Sequence, residues 1–210
     1  MKRLLCALLA LGLVLSMAAC RPKEPEGPVI EEKDFNFGLV TENKYESRFL
    51  DLACEFDKDW ALATNERIRE MNKITDDMTD VQVAQRIDFA EHLYDMMAIN
   101  KNETDNVTIE LKKGSILQLT MKDQDMANSM VLKIDGGLKE VGFQEVTSEV
   151  IPVTLAGSDT YGVKTVAKYE DTSLHQLSIP WRRGHYVATI TIMAREEKTV
   201  EAVKNLFYAY

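Results

Sequence analysis

The chain has 210 residues, of which 45% are hydrophobic and 28% charged, and 34 Asp and Glu against 25 Lys and Arg leave a net charge of −9. That balance excludes nucleic acid as an expected partner and sets the body against anionic membrane surfaces, because both reward clustered Lys and Arg. About 190 residues behind an N-terminal leader fall within reach of one domain.

The chain opens on Lys2 and Arg3, runs apolar from Leu4 to Met17, and passes through Ala18 and Ala19 into Cys20. A basic start, an apolar stretch and small residues before a cut site describe a secretory leader. The stretch covers 14 residues, short of the roughly 20 that a spanning helix needs. Met17-Ala18-Ala19-Cys20 resembles the bacterial lipobox, whose cysteine is acylated and becomes the new N-terminus; it departs from the pattern at Met17, where Leu is usual. The alternative is ordinary cleavage after Ala19 and a free secreted protein. Each buried methylene contributes about 0.8 kcal/mol, and two or more acyl chains hold where one binds marginally. The expectation is residues 1–19 removed, Cys20 lipidated, and the protein on the bacterial cell membrane facing outside the cytoplasm.

Loss of Lys2 and Arg3 takes the net charge to −11, and loss of Cys6 with acylation of Cys20 leaves Cys54 as the single thiol. No intrachain disulfide is then available, and the fold rests on its core. Cys54 lies in the run Phe49–Phe56 and reads as a buried structural thiol. Residues 21–34 combine Pro22, Pro25, Gly27 and Pro28 with Lys23, Glu24, Glu26, Glu31 and Glu32, a solvated tether that reaches roughly 45 Å when extended.

From residue 35 the periodicities mix. Tyr45–Phe56 predicts one or two strands broken near Asp51. Thr64 caps a helix to about Asn72 with Ile68 and Met71 inward, and Thr79 caps another to about Glu91 with Val83, Ile87, Ala90 and Tyr94 on one face. Leu93–Asn100 reads as a strand, and Asn106–Lys112 as the cleanest one, with Val107, Ile109 and Leu111 alternating against Thr108, Glu110 and Lys112. A helix spans about Asp123 to Val141, with Met126, Met130, Ile134, Leu138 and Val141 inward and Gly142 as its stop. Four strands follow, at 145–155, 161–169, 174–181 and 185–193, separated by turns at 156–159, 170–173 and 182–184 that suit antiparallel hairpins. Lys198–Tyr210 closes the chain as a helix with Val200, Val203, Leu206, Phe207 and Tyr210 inward. The order implies one α+β domain over residues 35–210, a mainly antiparallel sheet sandwiched by helices.

No phosphate loop, nucleophile elbow or zinc-protease motif is present, and neither a catalytic residue, a metal site nor a cofactor is expected. His92, His175 and His185 are far apart in sequence; a hairpin centred near residue 180 would set His175 opposite His185, and solvent-facing or core-rim roles are the plainer reading. Asp76-Asp77-Met78-Thr79-Asp80 and Asp123-Gln124-Asp125 lack the spacing of a calcium loop and read as helix caps. Asn102 and Asn106 head Asn-x-Thr triplets without consequence behind a bacterial leader. The candidate binding patch is Trp181, Arg182, Arg183 and His185, at an expected hairpin tip. Trp and Arg are enriched at binding hot spots, which points to an anionic or aromatic ligand or a protein; otherwise the arginines balance nearby acids.

Tyr45–Leu50, Trp60–Thr64, Val141-Gly142-Phe143, Val153–Gly157 and Arg183–Ala188 resemble small bacterial lipoproteins of the Mog1/PsbP-like fold. The resemblance implies an antiparallel sheet between helical layers and a binding or accessory role, as other members of the fold play in photosystem assembly or nuclear transport. It supplies no catalytic residues. The expected function is a lipid-anchored, non-enzymatic module that binds or supports an envelope component. The alternative is a small-molecule carrier with a cleft between sheet and helices lined by Tyr45, Trp60 or Trp181, and an enzyme comes third.

Overall fold

The computed structural model describes residues 36–170 and 172–210; the expected leader, Cys20 and the tether lie outside them. In chain order the elements are β1 (Leu39–Thr41), β2 (Lys44–Ser47), β3 (Leu52–Glu55), β4 (Trp60–Leu62), α1 (Asn65–Met71), α2 (Asp80–Phe89), β5 (Leu93–Asn100), β6 (Asn106–Lys113), α3 (Ile116–Thr120), α4 (Asp123–Glu140), β7 (Gln144–Leu155), β8 (Ser158–Tyr169), β9 (Thr172–Arg183), β10 (Tyr186–Ala194), α5 (Glu197–Lys204) and β11 (Phe207–Tyr208). They form a seven-stranded sheet in the order β4-β5-β6-β10-β9-β8-β7 and a four-stranded sheet in the order β1-β2-β3-β11. Every pairing is antiparallel.

Period-two patterning decides which face of the large sheet is dry. Val107, Ile109 and Leu111 of β6 and Ala188, Ile190 and Ile192 of β10 are buried on one face, and the small sheet adds Tyr45, Leu52 and Cys54 to the same core. Val200 and Val203 of α5 complete it. The opposite face receives α4, which packs along β7 and β8 through buried Met126, Ala127 and Leu138. A polar seam runs under that helix: the Ser148 hydroxyl donates to Asp135 Oδ1 at 2.5 Å and lies 2.7 Å from Thr165 Oγ1. The expected α+β class and antiparallel sheet are present, with the small sheet and α5 together covering one face.

Turn chemistry corrects several boundaries. Ala156 and Gly157 both take positive φ (49° and 79°), the requirement of a two-residue hairpin turn whose twist matches the strands. Leu155 therefore pairs with Ser158, and β8 starts three residues earlier than expected. The β9–β10 hairpin turns at Gly184-His185, with Arg183 opposite Tyr186. Arg182 and Arg183 thus belong to β9, only His185 of the patch sits at the tip, and His175 faces Ala194 instead of His185. The last helix ends at Lys204 because Phe207 pairs with Cys54 and closes the small sheet; Tyr210 is exposed. Val141 is exposed as well, at the C-cap of α4, and Tyr94 belongs to β5, not to α2. β1, β4 and α3 were not expected; α3 announces itself by the Ser115/Gln118 capping box.

Two asparagines make α1 a clamp between the sheets. The Asn65 amide exchanges both bonds with the main chain of Val40 in β1, at 2.9 and 3.0 Å. The Asn72 amide does the same with Tyr94 in β5, at 2.7 and 2.6 Å. Each side chain stands in for a missing neighbouring strand and satisfies edge groups that would otherwise be costly inside the protein.

A second tie is a buried acid. Asp95 lies in β5 among Leu93, Met96 and Ala98, all fully buried. Its Oδ1 accepts the Gly38 N–H at 2.8 Å, and its Oδ2 accepts the Tyr45 hydroxyl. Gly38 has no room for a side chain, since a Cβ there would stand 2.2 Å from Tyr45 Cε2. Burial pushes the Asp95 carboxyl up to about 6 against the pull of the two donors, and the same burial raises the Tyr45 phenol well above its ordinary value. The folded protein therefore keeps a proton on Asp95 that the unfolded chain releases near pH 4. Stability falls by about 3 kcal/mol as pH rises from about 4 to about 6 through this group. Asp95→Asn removes that slope: thermal melts across pH 4–7 should show the variant flatter than wild type in this window, and identical slopes would contradict the assignment.

Candidate binding cleft

The C-terminal end of β9, the β2–β3 turn, the start of α4 and the β7–β8 hairpin converge on a cleft of about 270 Å³. Trp181, Arg182 and Arg183 of the sequence-identified patch line it together with Asp51, Asp123 and Asp159. His185 does not: its side chain is exposed beyond the turn, and its carbonyl accepts the Gly114 N–H at 2.8 Å.

The two arginines reach inward. Arg182 Nη1 donates to the carbonyls of Leu119 and Met121 at 2.6 and 3.0 Å, and its Nη2 donates to Asp123 Oδ1 at 2.6 Å. It thereby caps the C-terminal carbonyls of α3 and pins the first turn of α4, a joint use of orphan acceptors and charge. Arg183 Nε and Trp181 Nε1 both donate to the Leu50 carbonyl, at 3.1 and 3.0 Å, and Arg183 Nη2 donates to Asp51 Oδ2 at 2.5 Å. Asp51 stands at φ 55° in the β2–β3 turn, so this bond fixes the tip of the small sheet on the end of the large one. Asp159 accepts the Thr154 hydroxyl at 2.8 Å on the rim. The two arginine charges are thus matched within the protein, while the cleft presents an indole, a carboxylate rim and the hydroxyls of Ser158 and Thr160.

Tyr45 and Trp60 do not line this space. Tyr45 is fully buried on Asp95, and Trp60 packs on Phe56 with ring centroids 5.1 Å apart. The cleft is also at the lower edge of the roughly 300–1,000 Å³ typical of small-molecule pockets and is lined by more polar groups than such pockets carry.

The remaining chemistry-bearing residues are dispersed. His92 Nδ1 stands 3.8 Å from Glu110 Oε2 on the surface, and His175 Nδ1 is buried without a hydrogen-bond partner. Among the described residues no group of three His, Cys, Asp or Glu side chains is close enough to hold a metal ion. Asp80 starts α2 behind a Thr79/Gln82 capping box, and Asp123 and Asp125 occupy the first turn of α4. The Asn102 amide donates to Asp105 Oδ2 at 2.7 Å within its turn. Cys54 is buried, and that burial pushes its thiol up, far from a reactive thiolate. Sequence reasoning missed the Asp95–Tyr45 pair; its signal is one acid inside the apolar run Leu93–Ala98.

No protein-family model and no curated protein matches the sequence. Among solved structures, the cyanobacterial PsbP (CyanoP) of Synechocystis sp. PCC 6803 superposes with a TM-score of 0.50 at 10% identity, over 88% of this chain and 100% of that one. A protein of Bacteroides thetaiotaomicron VPI-5482 reaches a TM-score of 0.42 at 14% identity, and the match spans 81% of this chain and about half, 49%, of that chain. The first likeness shows the fold: this chain has the PsbP-like architecture.

Trp181→Phe keeps one aromatic ring at the junction and loses the pyrrole part of the indole with its bond to Leu50. It should cost about 1–2 kcal/mol in urea unfolding, and a variant as stable as wild type would show the indole N–H to be free for a ligand instead.

Proposed function

We propose that the protein is a lipid-anchored lipoprotein facing outside the cytoplasm, and that its globular part is a non-enzymatic binding or accessory module for an envelope component. The observation that carries this reading is the N-terminal pattern, Lys2-Arg3, the apolar run to Met17, and Ala18-Ala19-Cys20. Among the described residues no helix is long and apolar enough to cross a membrane, so the attachment of this reading is the acyl group on Cys20.

The cleft supports docking more than chemistry. A general acid or base needs a titrating group within reach of substrate, and the strongly shifted carboxyl, Asp95, is sealed in the core. What the cleft offers a partner is a half-buried indole, a rigid wall made by the paired arginines, and acceptors on the rim. Such a surface suits a protruding segment of another envelope protein. Neither the matched arginine charges nor the volume favours a carried small molecule.

A photoreactive group placed at position 159 in intact cells tests both halves of the reading. The wild-type chain should fractionate with membranes and capture a defined envelope component, whereas Cys20→Ser should be released or left unprocessed and lose the crosslink. A Cys20→Ser protein that is correctly processed and still membrane-bound would contradict the anchor.

A further inference from the structure

We propose that the end of the domain carrying Phe89, Ile116 and Leu117 rests on the bilayer interface, so that the protein stands on the membrane in one orientation. Phe89 at the end of α2 is 82% exposed, and Ile116 and Leu117 of α3 are 84% and 64% exposed. Single exposed apolar side chains need no explanation, but these share one corner. Lys113 Nζ lies 3.4 Å from Asp88 Oδ1, which brings the residue before Phe89 against the strand end that leads through Gly114 and Ser115 into α3.

The chain enters the domain at the same end. Gly38 is held by Asp95, two residues past Leu93, which pairs with Leu111 near the end of β6. The described chain starts at Asn36, 16 residues after Cys20. A lipid on Cys20 is thus joined to this end of the domain through residues 21–35.

Acids at this end are partly neutralised. At this end Asp88, Asp51 and Asp123 each face a cation, at 3.4, 2.5 and 2.6 Å. At the far end Glu145, Glu196 and Glu197 are likewise paired, with Lys168, Lys198 and Lys164. An acyl anchor also holds the domain at high local concentration near the lipid, so a small apolar corner suffices as the second contact of a two-signal attachment.

This inference rests on the lipid anchor, and its test separates the two. The mature lipoprotein is reconstituted into phosphatidylcholine–phosphatidylglycerol vesicles containing brominated chains, with an environment-sensitive fluorophore on Phe89→Cys, Leu117→Cys or Val141→Cys. Val141 is an equally apolar control, 66% exposed at the other end of the sheet, and buried Cys54 stays unlabelled. Labels at 89 and 117 should shift to the blue and be quenched several-fold more strongly than the label at 141. Labels at 89 and 117 as wet as the control, on protein that floats with the vesicles, overturn the orientation and leave the anchor standing. Shielding that appears only at high protein density overturns it in favour of a second copy. Protein that fails to float overturns the anchor and this proposal together.

Discussion

A buried carboxyl group holds the two sheets of this protein together. Asp95 sits in the dry face of the large sheet and receives one donor from the small sheet and one from the entering chain. Burying a charged acid is expensive unless it is hydrogen-bonded, and here burial moves the pKa up to about 6 while two donors hold the carboxyl in place. The arrangement leaves little freedom nearby. Gly38 must be glycine because the Tyr45 ring fills its side-chain space, and Tyr45 must reach the acid because an unanswered hydroxyl there would cost as much as a lost bond.

The cleft inherits its geometry from that junction. Once the small sheet is seated, its β2–β3 turn presents Leu50 and Asp51 to the end of β9, where Trp181 and Arg183 close on them. Arg182, one residue along and pointing to the other face, performs the equivalent task for α3 and α4. A residue pair that looks like an anion site in one dimension is, in three, the bracket holding both layers at one end of the sheet. What is left for a partner is the space between the brackets, with the indole as its wall.

Much of this fold is legible in the sequence, for a physical reason. Where one face is dry and the other wet, as in Asn106–Lys113, alternation leaves one register, and the β6 pattern could be read directly. Long amphipathic helices and the antiparallel hairpins were equally plain. The turns were less so, because a two-residue turn at Ala156-Gly157 needs positive φ at an alanine, which composition alone does not announce. That single shortening of a turn, repeated at Gly184-His185, moved both arginines off the tip and into a strand. Phe207-Tyr208 followed the pull of an unpaired β3 edge instead of the helical period before it, a tertiary choice that local propensity cannot decide. Of the site, the residue types at 181–183 were visible; that their donors turn inward depends on carbonyls more than sixty residues away in the chain. Asp95 was readable as an anomaly, though its partners were not.

The central claim is that Tyr45 and Asp95 make the small sheet, the entry of the chain and the large sheet one cooperative unit. Native-state amide exchange tests it most directly. In the wild type, Gly38 and the amides of β2 and β3 should exchange with nearly the same free energy as those of β10. In Tyr45→Phe they should become selectively faster while β10 and α4 stay protected. Exchange of Gly38 and the small sheet that is already fast in the wild type, or unchanged by Tyr45→Phe, would contradict the account.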